Sequence, residues 1–318
     1  MVASSSKSTL KSRPSPLSIP LKKYPLVVLL GFYIGITSLL AAESAVSSNH
    51  TEDVVYGRKF GTALTLDIFR PEKPNGAAVL FMVSGGFNSN HSSVNAKNYD
   101  LFLAGGYTVF AVVHGSQPKF HVVEILEDIH RAVRFIRHHA ARFGVDPQKI
   151  GVTGTSSGGH LSLMLGLTGG PGKADAKDPI DRESSAVQAV ACFCPPTDFM
   201  NWSGPGDEQL GVGEIGTRFK GAWDARIATR EGREQLSREV SPIYFVSARM
   251  VPTLVLHGDA DKLVFPYQAR IFEEKCKSVN APYKLIMREG KDHNWSEMAT
   301  DRAQFVAWFD QHLRGPQR

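Results

Sequence analysis

The stretch KIGVTGTSSGGH, residues 149–160, decides the fold, because an apolar segment runs there into Gly-Thr-Ser-Ser-Gly and then into a second apolar segment. It contains the pattern Gly-x-Ser-x-Gly, in which the serine occupies a tight, strained turn between a strand and a helix. A larger residue beside the serine would collide with the returning backbone. Gly154 and Gly158 occupy the two small-residue positions, so Ser156 is the predicted nucleophile.

The residues around this pattern supply the strand and the helix that it needs. A Gly/Ser-rich pentapeptide also arises by chance in loops, so the pattern alone does not establish a catalytic turn. Here Ile150 and Val152 lead into it, and an apolar run that begins at Leu161 follows it. The free N–H groups at the start of the following helix favour developing negative charge beside the Ser156 hydroxyl.

Apolar runs of strand length alternate with helical patterns along the chain. Continuous runs such as 77–83 and 107–113 are typical of strands covered on both faces. The other predicted strands are 54–60, 64–69, 186–193, 252–256 and 283–287, and the predicted helices are 98–104, 124–143, 267–277 and 300–313. The alternation predicts an α/β fold with a mostly parallel central sheet flanked by helices. Residues 201–241, which mix glycines, charges and aromatics, are expected to form a small cap insertion.

Acidic and histidine side chains follow two of the predicted strands. Functional residues of an open parallel sheet gather outside the carboxyl ends of its strands. Asp259 and Asp261 come directly after the strand 252–256, and His293 follows the strand 283–287. The chain order Ser156, Asp261, His293 is the order expected for α/β-hydrolases.

From about residue 53 onward the chain resembles the α/β-hydrolase superfamily, and within it secreted carboxylesterases similar to acetyl xylan and feruloyl esterases. The resemblance rests on GTSSGGH at 154–160, HGDADKLV at 257–264 and the loop 290–293. The catalytic core is also similar to that of dipeptidyl and prolyl oligopeptidases. The second carboxylate of the family pattern H-G-x-x-D-x-x-V implies Asp261 as the acid of a catalytic triad. Asp259 is the alternative, expected instead to form a turn.

The resemblance also implies a role for each triad member. Asp261 would accept the N–H of His293 and fix its tautomer, and His293 would take the Ser156 proton and later protonate the leaving group. Asp198 and Asp292 are alternative acids.

Other histidines are expected to be structural. His160 lies one helical turn beyond the nucleophile and is expected to bond locally, while His257 is expected to be a hydrogen-bonded core residue. His114 ends a predicted strand and is a candidate for the pocket lining.

The oxyanion hole is expected to use backbone N–H groups. One comes from Ser157, the residue after the nucleophile, and the other from Gly86 or Phe87 in the loop after the strand 77–83. The family often has His-Gly-Gly in this loop, and Ser84 replaces that histidine. Because the donors are backbone groups, the replacement leaves the predicted function in place.

The basic residues of the chain are concentrated at its start. Five of the 36 basic residues lie in residues 1–42, which carry no acidic residue, and the remainder balances 31 basic against 31 acidic residues. A nucleic-acid partner is therefore not expected. The apolar run 26–40 and the small residues after it predict a signal peptide over 1–42, with an uncleaved membrane anchor as the alternative. A linker over 43–53 and a hydrolase domain over 54–318 follow, in an exported protein, either secreted or periplasmic.

Three functions are compatible with these patterns. The first is a serine carboxylesterase, which forms an acyl-enzyme on small-molecule or carbohydrate esters. The second is a peptidase of the prolyl oligopeptidase type, which usually needs an N-terminal propeller that about fifty residues cannot build. The third is a non-catalytic binding module on the same fold. The first is favoured, with no cofactor and no metal, because all three triad residues are present and the three cysteines form no zinc pattern.

Overall fold

The computed structural model describes residues 49–315. Eight strands form one sheet in the order β1-β2-β4-β3-β5-β6-β7-β8. Their bounds are β1 Asn49–Lys59, β2 Thr62–Arg70, β3 Ala78–Met82, β4 Thr108–Val113, β5 Ile150–Thr155, β6 Ala189–Phe193, β7 Thr253–Gly258 and β8 Tyr283–Arg288. The first hairpin is antiparallel to its neighbours, and all pairs from β4 to β8 across the sheet are parallel. The α/β-hydrolase architecture predicted from the sequence is therefore confirmed.

Helices cover both faces of the sheet. They are α1 Asp100–Ala104, α2 Val122–His138, α3 Ala140–Phe143, α4 Ser157–Thr168, α5 Gly213–Arg218, α6 Arg230–Val240, α7 Tyr267–Ser278 and α8 Met298–Phe309, which continues into a π-helical turn at Asp310–Arg314. Every residue of β3 is buried, and alternate residues of the central strands join one apolar cluster on each face. This two-sided burial explains why these strands appear in the sequence as continuous apolar runs.

Three details differ from the sequence prediction. The helix predicted over 124–143 is two helices, α2 and α3, with a break at His139. The His139 ring packs 4.7 Å from the Phe135 ring, and no glycine or proline marks the break in the sequence. Strand β1 begins at Asn49, so part of the predicted linker is paired in the sheet. Strand β6 begins at Ala189, three residues later than predicted. The leader and residues 43–48 lie outside the described residues.

The cap segment 201–241 contains α5, α6 and short 3-10 turns. Contacts of two kinds, a hydrogen bond and an aromatic contact, connect it to the nucleophile region. The His160 Nε2–H donates a hydrogen bond of 2.6 Å to the Val240 carbonyl at the end of α6. The Trp223 ring packs edge-on against Phe87, 5.5 Å between centroids. Between residues 49 and 315, no helix has both the length and the apolar character needed to cross a membrane.

Candidate active site

Ser156 occupies the turn between β5 and α4. Its φ of 58° and ψ of −122° lie in a strained region that non-glycine residues seldom occupy. A Cβ on Gly154 would overlap the backbone of Gly158, and a Cβ on Gly158 would lie 2.8 Å from the Met82 carbonyl oxygen. The glycines predicted from the pattern are therefore required by backbone packing.

His293 and Asp261 are brought into direct contact at the ends of β8 and β7. The His293 Nδ1–H donates a hydrogen bond of 2.7 Å to Asp261 Oδ2, and both residues are buried. The other carboxylate oxygen, Oδ1, accepts the backbone N–H groups of Leu263 and Val264, each at 2.9 Å. Asp292 Oδ1 accepts the His293 N–H at 2.7 Å. These bonds fix the carboxylate and the imidazole in one orientation.

The carboxylate of Asp261 is held in its ionised form. Burial would raise its pKa, but the nearby His257 and His293 imidazoles outweigh burial and hold the pKa well below its ordinary value. His257 lies 3.3 Å from Asp261 Oδ2 and donates its Nε2–H to the Val264 carbonyl at 2.8 Å. An ionised, buried carboxylate beside His293 would stabilise the imidazolium form of that ring.

The alternative acids have other partners. Asp259 Oδ1 accepts the Gly290 N–H at 2.7 Å, so it closes a turn, and Asp292 is occupied by backbone N–H groups. Asp198 is buried and accepts bonds from the Met200 N–H and the Asn201 side chain. None of these three carboxylates forms a hydrogen bond with the imidazole ring of His293, which bonds to Asp261.

The other candidate histidines are structural. His160 is fully buried, and its ring bonds to the cap. The local bond predicted from the sequence is therefore wrong, because the cap brings the Val240 carbonyl to this ring. His257 is the hydrogen-bonded core residue that was expected. The His114 Nδ1–H donates to the Gly115 carbonyl at 2.6 Å, and this ring does not line the apolar cavity beside Ser156.

The end of strand β6 contacts both Ser156 and the loop that carries His293. Its N–H donates to the Phe193 carbonyl at 3.0 Å, and the thiol of the next residue, Cys194, contacts the His293 carbonyl at 3.8 Å. Within residues 49–315, neither Ser156 Oγ nor His293 Nε2 forms a hydrogen bond. Catalytic hydrogen bonds are often long before substrate binds and shorten in the substrate complex.

The loop predicted to form the oxyanion hole has backbone N–H groups that are free to donate. Gly86 and Phe87 have φ values of 55° and 63°. Gln117 donates a hydrogen bond to the carbonyl of each residue. Its side-chain N–H donates to Gly86 at 2.6 Å, and its backbone N–H donates to Phe87 at 3.2 Å. In the described part of the chain, the N–H groups of Gly86, Phe87 and Ser157 donate to no acceptor. Sequence analysis missed Gln117, because nothing in its local pattern marks it.

Ser84 connects this loop to the nucleophile turn. Its hydroxyl lies 3.0 Å from the Ser157 hydroxyl, which is a direct hydrogen bond between the two predicted donor segments. The residue that replaces the family's histidine therefore has a structural role of its own.

An apolar cavity of about 30 Å³ adjoins Ser156 and Ser157. The cap supplies one wall, where the Phe219 ring lies so close to Gly86 that a Cβ there would overlap it. Trp202 and Trp223 are almost fully buried in the same wall. The cap aromatics therefore pack against each other, and they also line an apolar space next to the nucleophile turn.

Among residues 49–315, two clusters of side chains have metal-binding residue types. Cys194, His257 and Asp261 form the first, but burial and the adjacent Asp261 raise the pKa of the Cys194 thiol well above its ordinary value, which disfavours a thiolate ligand. In the second, the Asp67 carboxylate already accepts His50 Nε2–H at 2.9 Å and the Asp53 N–H at 3.0 Å.

The mostly parallel sheet, the serine turn and the His293–Asp261 pair together define an α/β-hydrolase. The BD-FAE family model matches residues 66–276. The chain therefore belongs to the BD-FAE family.

The chain is also similar to curated relatives that are named esterases. Esterase LipC of Mycobacterium tuberculosis is 30% identical over 73% of this chain and 56% of its own length. The probable carboxylic ester hydrolase LipM of the same organism is 28% identical over 73% of this chain and 52% of its own length. The chain thus spans little more than half the length of these relatives.

Among solved structures, a truncated carbohydrate esterase from gut microbiota aligns with a TM-score of 0.68 at 24% identity, covering 84% of this chain and 98% of that one. The apo form of Thermogutta terrifontis esterase 2 aligns with a TM-score of 0.63 at 25% identity, covering 80% and 91%.

Proposed function

We propose that this protein is a serine carboxylesterase that uses Ser156, His293 and Asp261 as a catalytic triad. The observation that carries the proposal is the 2.7 Å bond from His293 Nδ1 to Asp261 Oδ2. This bond leaves Nε2 of the same ring directed away from the carboxylate. Ser156 and His293 follow strands β5 and β8, whose carboxyl ends lie at one edge of the sheet. Relatives that are named esterases and match about three quarters of the chain support the same reaction.

The proposed reaction has two steps. His293 Nε2 removes the Ser156 proton as Oγ attacks the ester carbonyl, and the N–H groups of Ser157 and of Gly86 or Phe87 stabilise the oxyanion. The imidazolium then protonates the departing alcohol, which leaves an acyl-enzyme. Water activated by the same histidine attacks this intermediate, releases the acid and restores Ser156.

The small cavity supports a short acyl group. A cavity of only about 30 Å³ with a mostly apolar lining favours an acetyl methyl group over the larger ring of an aromatic acid. We therefore propose acetyl esters as the preferred acyl donors. Carbohydrate as the alcohol is supported by a relative named acetylxylan esterase, from Xylanibacter ruminicola, 27% identical over 30% of this chain.

An ester panel tests this function. p-Nitrophenyl acetate and acetylated xylo-oligosaccharides are compared with feruloyl esters and a dipeptidyl amide, with Ser156→Ala as the control. The proposal expects hydrolysis of the acetyl esters that Ser156→Ala abolishes without a loss of folding by circular dichroism. Faster cleavage of the amide would favour the peptidase alternative, and unchanged turnover by Ser156→Ala would overturn the proposed nucleophile.

We also propose that the chain is exported, on the basis of the basic start and apolar run in residues 1–42. Expression with and without these residues tests this. Appearance of the protein outside the cytoplasm only when they are present is expected, and equal distribution of both forms would contradict the proposal.

A further inference from the structure

A second cavity adjoins the nucleophile turn. Its volume is about 350 Å³, and it shares no lining residue with the apolar cavity under the cap. Segments of the proposed active site line its wall, because Thr155 precedes Ser156, Asn294 follows His293, and Ser84 begins the oxyanion loop. A group bound there would therefore be next to the reacting ester, in a space separate from the acyl cavity.

Arg302 supplies the charge of this cavity. It lies on α8, half-buried, and its guanidinium carbon is 5.8 Å from the centroid of the Phe193 ring. The adjacent carboxylate, Asp301, is already paired with Arg288 and accepts the Trp295 indole N–H at 2.8 Å. Across residues 49–315, the Arg302 guanidinium has neither an ion-pair partner nor a hydrogen-bond acceptor.

The residues that line the cavity carry no negative charge to balance Arg302. No aspartate or glutamate lines it, and its polar groups are hydroxyls and amides such as Ser84, Asn88 and Asn98. Burial lowers the pKa of Arg302. This direction reflects the free-energy cost of removing the cation from water without an anion to compensate it. A guanidinium nevertheless remains charged, and its fork of N–H donors matches a carboxylate with two parallel hydrogen bonds.

The acyl part of the ester is assigned to the apolar cavity, so the alcohol part is left for the polar one. Resting on the proposed esterase function, we propose that this cavity binds a carboxylate carried by the alcohol of the substrate, as in an acidic sugar, and that Arg302 is its binding residue. The cavity would then select esters of acidic alcohols over neutral ones.

A matched pair of substrates tests the proposal. 4-Acetoxybenzoate and 4-acetoxybenzamide carry the same acetyl ester and differ in the charge at the far end of the alcohol. Arg302→Gln should lower kcat/KM for the anionic ester about tenfold or more and change that for the amide less than about twofold. Arg302→Lys, which keeps the charge but loses the fork, should be intermediate. Arg270→Gln, an exposed arginine on α7, is the control and should change neither.

The two proposals fail in different ways. An equal loss of kcat/KM for both substrates in Arg302→Gln would assign Arg302 to packing and overturn the subsite. No loss for either substrate would also overturn the subsite. In both cases the esterase proposal stands. If the wild-type protein hydrolyses neither ester, the esterase proposal fails. Calorimetric titration of 4-acetoxybenzoate into Ser156→Ala and Ser156→Ala/Arg302→Gln then decides the subsite without turnover. Binding weakened about tenfold by the second substitution supports it, and equal or absent binding overturns it.

Discussion

Asp261→Asn is the perturbation for which the structure makes the most specific prediction. Oδ1 of Asp261 accepts two backbone N–H groups, at Leu263 and Val264, and Oδ2 accepts the His293 Nδ1–H. An asparagine keeps the two backbone bonds only if its carbonyl oxygen takes the Oδ1 position. Its NH₂ group then faces His293 Nδ1 and donates to it. This bond places the ring proton on Nε2, where the ring cannot accept the Ser156 proton.

The expected cost is large and confined to catalysis. The corresponding substitution in another serine triad lowers kcat by about 10⁴, because it fixes the wrong tautomer and leaves the geometry intact. We expect a similar loss here, on p-nitrophenyl acetate, with a melting temperature close to that of the wild type, since the turn bonds persist. Asp259→Asn is the matched control, because its Oδ1 accepts one backbone N–H, from Gly290, that an amide oxygen also accepts. A kcat of Asp261→Asn within tenfold of the wild type would refute the tautomer argument.

Three further predictions concern packing, pH and acyl selectivity. Gly158→Ala should lower the free energy of unfolding by about 2 kcal/mol or more in urea titrations, because its Cβ meets the Met82 carbonyl, whereas Gly204→Ala, with open space around it, should not. Burial lowers the pKa of His160 to about 4. In the unfolded chain this pKa has its ordinary value near 6.5, so the unfolded chain binds a proton that the folded protein does not. The free energy of unfolding should therefore fall as the pH is lowered from 6.5 to 4. His160→Gln should remove up to about 3 kcal/mol of that fall, and an unchanged slope would contradict it. Phe219→Ala should raise kcat/KM for p-nitrophenyl butyrate relative to acetate about tenfold, and the exposed control Phe265→Ala should not.

Much of the fold is predictable from the sequence for a physical reason. Strands buried on both faces must be continuously apolar, and runs such as 77–83 therefore locate β3 within one residue at each end. The Gly-x-Ser-x-Gly pattern is equally strong, because a Cβ on Gly154 would overlap the Gly158 backbone and a Cβ on Gly158 would meet the Met82 carbonyl. The His293–Asp261 contact follows from the common edge at which parallel strands end.

The parts that sequence analysis missed depend on contacts between distant segments. Gln117 orients the oxyanion loop through two carbonyls about thirty residues away, and its own neighbours in the sequence do not signal this. His160 bonds to Val240 in the cap rather than to its own helix, since the cap brings a free carbonyl to its ring. The pairing of Asp301 with Arg288, which leaves Arg302 without a carboxylate, likewise depends on how α8 packs against β8.

The most direct test of the proposed triad is to map the site of a fluorophosphonate adduct by mass spectrometry of the labelled peptides. A single adduct on Ser156 is expected, formed in step with the loss of esterase activity, absent in Ser156→Ala and much slower to form in His293→Gln. An adduct on a different residue, or complete inactivation with Ser156 unlabelled, would contradict the account.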